Sequence, residues 1–324
     1  MSGETRAGVV GVGALGQHHA RVYAELPGVR FVGAYDRLPE RAVEVASRHG
    51  GRGFADLESL LAEVDVVSVA VPTVDHHAVA GRALESAHVL VEKPIAASLA
   101  EADDLIARAA RLGRLLQVGH IERFNPALDI LKANVSVPRF VEVHRLSSFS
   151  PRSLDIDVVL DLMIHDLDVV LSLDGSDLAQ VDAVGVPVLT PKVDIANARL
   201  RFSSGLVANL TASRVSAEKT RKFRVFAPRT YISLDFAARE GQIYRLVGGA
   251  NQAPDIRVER SAAPEEEPLK RQLASFVEAA RTGGRPLVSG EDGRRALALA
   301  QRILEAISNH NRQIGQDLNH EGSW

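Results

Sequence analysis

The chain has 324 residues, which at roughly 150 residues per domain predicts about two domains. Apolar residues make up 46% and charged residues 24%, as in ordinary globular proteins, and the formal net charge is −3. This charge balance, with an aromatic content of only 5%, disfavours nucleic acid and anionic membranes as partners. The absence of cysteine excludes disulfides, zinc–thiolate sites and cysteine nucleophiles.

No apolar run approaches the roughly 20 residues of a membrane span. A strand pattern begins within the first residues, which leaves no room for a signal peptide. We therefore expect a cytoplasmic protein that makes no membrane contact, and an enzyme or a small-molecule binder fits these bounds.

Strand-like and helix-like segments alternate over the first 122 residues. Short apolar runs predict strands at Ala7–Val12, Val29–Tyr35, near Gly53, and at Asp65–Val71, His88–Val91 and Leu115–Val118. Amphipathic stretches predict helices at Gly16–Glu25, Pro39–His49, Leu57–Ala62, Val74–Ser86 and Leu99–Leu112. Continuously apolar strands separated by helices are typical of a parallel sheet that is buried on both faces. Residues 1–122 are therefore predicted to form a doubly wound, dinucleotide-binding α/β domain.

The regular alternation of predicted strands and helices ends after residue 122. Helices are predicted at Pro126–Ala133, Asp157–Leu173, Leu269–Thr282 and Glu291–Asn311. Strands are predicted at Arg139–Ser147, Val181–Leu189, Asn197–Phe202, Leu206–Ser213, Phe223–Ala227, Thr230–Asp235 and Gln242–Leu246, and a long exposed loop at Gly248–Pro268. The short connections between strands favour antiparallel pairing. Residues 123–324 are therefore predicted to form an α+β domain with an open, mostly antiparallel sheet for substrate binding and oligomerisation.

The predicted sheet of the second domain has alternating apolar positions. They are Leu200, Phe202, Leu206, Ala208 and Leu210. The few predicted helices cannot cover both faces of the sheet, and an uncovered apolar face needs a partner. We therefore expect a homo-oligomer, either a dimer or a tetramer.

The segment between the first strand and the first helix carries a G-x-G-x-x-G motif. Its glycines are Gly11, Gly13 and Gly16, with Ala14 and Leu15 between them. In a dinucleotide site the first glycine makes a tight turn, the second lets a pyrophosphate approach the backbone, and the third lets the helix pack close to the strand. A purely structural turn is the alternative.

Asp36 ends the second predicted strand. A carboxylate at this position accepts hydrogen bonds from the ribose hydroxyls of adenosine and repels a 2′-phosphate, which predicts NAD as the cofactor. The neighbouring Arg37 keeps NADP open, because a guanidinium can stack on adenine or bind a 2′-phosphate.

Three further motifs follow in chain order. They are Pro72-Thr73-Val74-Asp75-His76, Val91-Glu92-Lys93-Pro94 and Asp161-Leu162-Met163-Ile164-His165-Asp166-Leu167-Asp168. With the glycine loop, this ordered set resembles the glucose–fructose oxidoreductase, inositol dehydrogenase and MocA family over nearly the whole chain. The resemblance implies a Rossmann domain followed by an α+β domain, and nicotinamide-dependent oxidation of a sugar hydroxyl.

Glu92 and Lys93 stand at the carboxyl end of a predicted parallel strand, where open α/β sheets bind ligands. The resemblance implies that Lys93 reaches the reacting hydroxyl of the substrate beside the nicotinamide. Pro72, Thr73 and His76 follow the preceding strand and are expected to line the nicotinamide ribose. A surface Glu–Lys pair and a histidine without a ligand are the alternatives.

Asp161, His165 and Asp168 are spaced i, i+4 and i+7 in an apolar segment, which predicts that they share one face of a helix. Charged groups in a buried helix need partners. The resemblance implies that Asp161 holds or polarises the substrate and that His165 is the general base. Asp168 would anchor the helix or orient His165. A core histidine capped by Asp161 is the alternative, and we predict no metal site.

Arg123 and Asn125 lie in the predicted linker between the domains and are candidates for contacting the substrate or the nicotinamide. Arg145 and Arg152 flank the loop before the His165 helix and are candidates for an anionic substrate group. Guanidinium groups suit a diphosphate, although a structural role is equally open for each arginine.

The linker and His165 motifs are most like those of family members that oxidise the 3-hydroxyl of UDP-N-acetylglucosamine. This resemblance implies a 3-keto product that a partner aminotransferase uses toward amide-linked lipid A. UDP-N-acetylglucosaminuronate, inositol or another sugar are alternative substrates. A cofactor-sensing regulator is the non-enzymatic alternative, but it would have no need of Lys93, Asp161 and His165 together.

Overall fold

The computed structural model describes residues 4–150, 156–248 and 255–320, with side chains up to residue 315. The chain forms two compact units. The first comprises the described residues of Met1–Phe124 and Glu266–Leu297, and the second those of Asn125–Glu265 and Ala298–Trp324. None of the helices in the described ranges combines the length and the apolar character that a bilayer crossing requires.

The first unit is built on a six-stranded parallel sheet with the order β3-β2-β1-β4-β5-β6. Its strands are β1 Thr5–Val10, β2 Val29–Tyr35, β3 Arg52–Gly53, β4 Val66–Val69, β5 His88–Glu92 and β6 Leu116–Gly119. Its connecting helices are α1 Gly16–Glu25, α2 Pro39–Arg48, α3 Leu57–Leu61, α4 Thr73–Ala83 and α5 Leu99–Leu112. The strand order reverses beside β1, where sheets of this kind bind ligands. The predicted doubly wound fold is confirmed.

A later helix completes the core of this unit. Helix α8, Pro268–Thr282, buries Leu273 and Phe276 in the same apolar cluster as Tyr23 and Phe31. Residues 266–297 therefore pack with the first unit, whereas the sequence pattern predicts a single boundary at residue 122. The apolar periodicity of α8 marks which face is buried but carries no information about the sheet against which it packs.

The second unit is built on an eight-stranded sheet with the order β14-β13-β12-β11-β7-β10-β9-β8. Its strands are β7 Phe140–Leu146, β8 Leu178–Val186, β9 Ile195–Phe202, β10 Val207–Ser213, β11 Thr220–Ala227, β12 Thr230–Asp235, β13 Glu240–Val247 and β14 Asp255–Ala262. Only the β7–β10 pairing is parallel among the described strands. Three helices are α6 Ala127–Asn134, α7 Ile164–Leu173 and α9 Gly290–His320, and α9 divides between the units. The predicted mostly antiparallel sheet is confirmed.

The five apolar positions that suggested an uncovered sheet face are buried within the chain. Leu200, for example, is fully buried, and Leu206 is 2% exposed. Helices cover this side of the sheet: Ile130 of α6 lies against Gly241, and Ile307 of α9 lies against Gly185. The inference that these residues need a second copy is therefore wrong, because helices distant in sequence already shield them.

We predict that Leu273→Ala lowers the free energy of unfolding by about 2–5 kcal/mol, because it leaves a cavity in a fully buried core. Leu287→Ala is the matched control, since Leu287 is 44% exposed and should contribute little. Urea denaturation of both variants measures the difference. Equal stabilities would show that α8 does not belong to the core of the first unit.

Candidate active site

The glycine loop joins β1 to α1 by a close backbone approach. Gly11 has a φ of +83°, and a Cβ atom there would lie 2.8 Å from the carbonyl oxygen of Ala70. A Cβ atom on Gly16 would lie 1.8 Å from the carbonyl oxygen of Gly11. Around Gly13, by contrast, the nearest atom to such a Cβ is Nη1 of Arg41 at 3.8 Å. The loop therefore leaves open space above its middle glycine, as a pyrophosphate requires.

The amino end of α1 is suited to an anion. Its N-cap is Leu15, which is half exposed and provides no side-chain hydrogen bond, and the first turn carries no acidic residue. In contrast, Asp56 caps α3 and Ser98 caps α5 through their side-chain oxygens. An uncapped helix end presents backbone N–H groups and the positive end of the helix dipole to a phosphate.

Asp36 is 8% exposed and anchors the glycine loop. Its Oδ2 accepts a hydrogen bond from the backbone N–H of Val12 at 2.9 Å, and its Oδ1 accepts one from Leu38 at 3.0 Å. A carboxylate has about four lone-pair sites, so acceptor capacity remains for ribose hydroxyls. The structure thus places Asp36 beside the glycine loop, as a dinucleotide site needs. Arg37 is directed toward Asp75, with 3.7 Å between Nη1 and Oδ2.

His76 lies in the first unit as a buried connection between two loops. Its Nδ1 is 2.8 Å from the carbonyl oxygen of Pro94, and its Nε2 is 3.0 Å from that of Val71. Burial lowers the pKa of His76, which favours the neutral imidazole. Its ring therefore fixes the loop after β4, where Pro72 and Thr73 begin α4, to the turn after β5.

The carboxyl end of β5 carries a buried acid–histidine pair. Nε2 of His19 on α1 lies 3.1 Å from Oε1 of Glu92, and both side chains are largely buried. Glu92 also lies against Gly119 at the end of β6, where a Cβ atom would come within 2.6 Å of Oε1. Lys93 follows, half-buried, and its peptide bond to Pro94 is cis. The pair fixes the backbone from which Lys93 extends.

His120 is a further candidate for the site, and it is not among the residues predicted from the sequence motifs. It is fully buried directly after β6, next to the strand that ends in Glu92. Burial lowers its pKa to about 3, with smaller contributions from the positive charges of Lys93 and Arg123. His120 is therefore neutral at physiological pH, and Lys93 has an uncharged imidazole nearby. The position of His120 after a strand, as for Lys93, is the signal that could have identified it.

In the second unit, Asp161 and His165 lie at a change of helix type. A π-helical segment, Val159–Met163, precedes α7, so the spacing from Asp161 to His165 crosses from a widened helix into a regular one. The predicted α-helix is therefore not regular, because the turn that carries Asp161 is π-helical. Both side chains are half-buried, whereas Asp168 is 1% exposed. The segment is apolar on all sides, so its periodicity could not reveal the π turn.

Arg145 forms a buried, two-pronged ion pair with Asp166. Its Nε and Nη2 donate to the two carboxylate oxygens at 2.6 and 2.7 Å. Arg145 is thus engaged within the unit, so its suggested role in binding an anionic substrate group is wrong. Asn125, which is 4% exposed, donates to the carbonyl oxygen of Phe236 and accepts from the N–H of Ala127.

Of the two remaining arginine candidates, Arg123 and Arg152, the structure describes only Arg123. Arg123 lies in a 3₁₀ turn, Ile121–Phe124, and its Nη2 donates to the carbonyl oxygen of Leu287 at 3.3 Å within the first unit. Arg152 lies outside the described residues. Within the described ranges, no group of three or more acidic or histidine side chains is placed to hold a metal ion.

A second buried ion pair holds the beginning of the π-helical segment. Nε of Arg214 donates to Oδ1 of Asp194 at 2.7 Å, and its Nη1 donates to the carbonyl oxygen of Ile156. Burial acts to raise the pKa of Asp194, but hydrogen bonds from Leu189, Arg214 and Thr190 outweigh it and hold the pKa well below its usual range. This network positions the chain that leads to Asp161 and His165.

Comparison with known proteins agrees with this geometry. Residues 5–120 match the model of the GFO/IDH/MocA oxidoreductase family with its NAD-binding Rossmann fold, and residues 129–233 match that of the GFO/IDH/MocA C-terminal domain. The chain is 42% identical over 305 residues to UDP-N-acetylglucosamine 3-dehydrogenase from Acidithiobacillus ferrooxidans, which covers 93% of this chain and 97% of that protein.

Two further matches extend the comparison. A solved structure of the Acidithiobacillus ferrooxidans enzyme has a TM-score of 0.89 at 41% identity and covers 94% of this chain and 97% of that one. The chain is also 26% identical over 312 residues to scyllo-inositol 2-dehydrogenase (NAD+) from Bacillus subtilis, covering 90% and 91% of the two. The predicted oxidoreductase class is confirmed. The predicted cofactor, NAD, is confirmed as well, because the matched family has an NAD-binding Rossmann fold.

We predict that Asp194→Asn lowers the free energy of unfolding by about 3–5 kcal/mol at neutral pH, because it removes the charge that compensates a buried guanidinium. Since the pKa of Asp194 is depressed in the folded state, this contribution is present above the unfolded pKa of about 3.9 and is lost as the pH falls below it. Denaturation of Asp194→Asn and of the exposed control Asp182→Asn from neutral to acid pH measures it. If the difference in unfolding free energy between Asp194→Asn and the unsubstituted protein does not shrink at acid pH, the stabilising role of the Asp194 carboxylate is contradicted.

Proposed function

Because the chain belongs to the GFO/IDH/MocA oxidoreductase family, we propose that it is an NAD-dependent dehydrogenase of UDP-N-acetylglucosamine. It oxidises the 3-hydroxyl of the sugar to a ketone. NAD accepts the hydride from carbon 3, and a basic side chain accepts the hydroxyl proton. The observation that carries this proposal is the 42% identity, over 93% of the chain, to an enzyme of that name.

Lys93 is proposed to bind the reacting hydroxyl. NAD, when bound, supplies the hydride acceptor; Gly11, Gly13 and Gly16 receive its pyrophosphate, and Asp36 its adenosine ribose. The ammonium of Lys93 donates hydrogen bonds to the substrate oxygen and stabilises the negative charge that develops there as the proton leaves. The neutral state of His120 is compatible with this role, because the buried imidazole adds no positive charge beside Lys93.

His165 is proposed to remove the hydroxyl proton, and Asp161 to hold the sugar. Both side chains are half-buried, so each keeps an exposed surface through which it could reach a ligand. Arg123 and Arg152 are proposed to bind the diphosphate as guanidinium groups do. The side-chain amide of Asn125 forms hydrogen bonds within its own unit. We therefore propose that Asn125 acts indirectly, by positioning the beginning of α6.

The proposed ketone product requires a consuming reaction. A 3-keto sugar nucleotide is the substrate that an aminotransferase converts into a 3-amino sugar. We propose such an aminotransferase as the functional partner, in the supply of amino sugars for lipid A. The cytoplasm, where NAD is available, is the proposed setting.

We also propose that the chain forms a homo-oligomer, through the sheet face opposite the helices. A row of aromatic rings crosses four neighbouring strands on that face: Phe140, Phe226, Tyr231 and Tyr244, with adjacent centroids 4.6–5.5 Å apart. The register places these residues directly opposite one another. A half-buried aromatic row of this kind offers a flat apolar surface to a second copy.

The substrate proposal predicts that NAD is reduced when UDP-N-acetylglucosamine is added to the purified protein. The absorbance of reduced nicotinamide measures the reaction. The 3-deoxy analogue is the sharpest control, because it retains every binding group except the reacting hydroxyl and should give no signal. Addition of glutamate and a sugar aminotransferase should yield a 3-amino sugar nucleotide. Turnover of UDP-N-acetylglucosaminuronate or myo-inositol with none of UDP-N-acetylglucosamine would refute the proposed substrate.

The catalytic assignment predicts that His165→Asn and Lys93→Ala each lower turnover by about 10²–10⁴-fold, because each removes a positioned hydrogen-bonding or proton-transfer group. NAD affinity, measured by titration, should be retained. His144→Asn in β7 and Lys270→Ala in α8 are matched controls that should keep full turnover. If a variant turns over normally, its residue has no catalytic role.

The assembly proposal predicts that Tyr231→Glu shifts the protein to a monomer in light scattering at micromolar concentration, because burial of an unpaired carboxylate is costly. Leu189→Glu, at a position that is 61% exposed in a loop of the same unit, should leave the assembly unchanged. A wild-type monomer would contradict the proposed assembly.

A further inference from the structure

A cavity of about 500 Å³ lies at the amino ends of the parallel strands in the first unit. Strands β1, β4 and β5 begin there, at Thr5, Val66 and His88, and all of the lining residues belong to this unit. The glycine loop and Lys93 lie at the opposite, carboxyl ends of the same strands. The volume falls within the range of small-molecule sites, and the proposed reaction makes no use of this end of the sheet.

Part of the lining of this cavity is apolar. Leu61, Val64 and Val66 are buried side chains that contribute to it, and half-buried Ala280 of α8 adds a methyl group. A ligand with an apolar body would therefore be removed from water against apolar side chains, which favours its binding.

The charged part of the lining contains one ion pair and two further arginines. Arg6 donates to both carboxylate oxygens of Asp65, at 3.1 Å from Nε and 2.6 Å from Nη2, so these two charges compensate each other. The guanidinium groups of Arg114 and Arg281 form no hydrogen bond or ion pair with any residue that the structure describes. Their N–H donors are therefore available to a ligand.

The imidazole of His88 adds an uncharged donor to the lining. Its Nδ1 accepts a hydrogen bond from the backbone N–H of Leu115 at 2.9 Å, so the neutral ring carries its hydrogen on Nε2. Burial lowers the pKa of His88, and the positive charge of Arg114 lowers it further, which favours this neutral ring.

We propose that this cavity is a second ligand site, which binds an organic acid through Arg114 and Arg281 and holds its apolar body against Leu61 and Val66. The lining has three arginines and two acids, Asp65 and Glu4, and thus a single net positive charge. That charge matches one carboxylate better than a doubly charged phosphate. Guanidinium groups bind carboxylates through charge-assisted hydrogen bonds.

The alternative role of the two arginines is to stabilise helix ends. Helix α5 ends at Leu112 and α8 ends at Thr282, close in sequence to Arg114 and Arg281, and positive charge is favourable at the carboxyl end of a helix. That role needs no ligand. It predicts that replacing the arginines changes the stability of the protein and leaves ligand binding unaffected.

Titration calorimetry with straight-chain carboxylates from butanoate to decanoate tests the proposal without NAD or a sugar. We expect the affinity to rise about fourfold for each added CH₂ group until the cavity is filled. Acetate lacks the apolar body and 1-octanol lacks the charge, so each should bind at least about tenfold more weakly than octanoate. Saturating NAD should leave the Kd for octanoate unchanged, because the cofactor site lies at the other end of the strands.

Substitutions in the lining locate the binding. Arg114→Gln and Arg281→Gln should each raise the Kd for octanoate about tenfold, which corresponds to the loss of one charge-assisted hydrogen bond. Ala62→Phe, at an exposed lining position, should weaken binding by occupying the cavity while both arginines remain. Arg111→Gln, at an exposed position of α5 outside the lining, is the matched control and should bind octanoate normally.

Four results would overturn the proposal. They are the absence of binding throughout the carboxylate series, an affinity that does not depend on chain length, competition between octanoate and NAD, and an unchanged octanoate Kd in both arginine variants. A lower unfolding temperature of the arginine variants together with an unchanged Kd would assign the two arginines to the helix ends alone.

Discussion

The contact between the first turn of α1 and the end of β1 is the constraint on which the first unit depends. Gly16 passes the carbonyl oxygen of Gly11 at a distance that no side chain would permit. This approach aims the uncapped end of α1 at the loop and brings His19, one turn later, to Glu92. Because Glu92 precedes Lys93 directly, the packing that prepares a phosphate site also fixes the backbone of the lysine proposed for chemistry.

The second unit separates its structural charges from the charges that we assign to chemistry. Two buried arginine–carboxylate pairs, Arg145–Asp166 and Arg214–Asp194, hold the region on both sides of the π-helical segment. Breaking such pairs is costly because the remaining charge is desolvated. Asp161 and His165, which we propose to hold the sugar and to take its proton, differ from them in being half-buried. The fold thus buries its anchoring charges fully and leaves the groups that we propose for catalysis half-buried.

Local pattern was sufficient to predict most elements of this fold. The predicted bounds of α1, β2, α5 and β12 agree with the structure to the residue, because their apolar periodicity and flanking glycine or acidic residues are local signals. The glycine loop and Asp36 could likewise be identified from the sequence as parts of a dinucleotide site. Contacts between residues distant in sequence were not: Arg145 on β7 pairs with Asp166 on α7, and Arg41 approaches Gly13 only because of where α2 packs. These features depend on tertiary packing, which no short window of sequence contains.

The return of α8 to the first unit has a consequence for how the chain is made. Proteins are synthesised from the amino terminus, and domains that are continuous in sequence generally fold as they emerge. Here the cluster around Tyr23 and Phe31 lacks Leu273 and Phe276 until residues 125–265, which belong to the other unit, have been translated. The unit that is encoded first therefore completes its core late. A ribosome stalled before α8 would carry an unfinished apolar surface on its nascent chain, a natural target for chaperones.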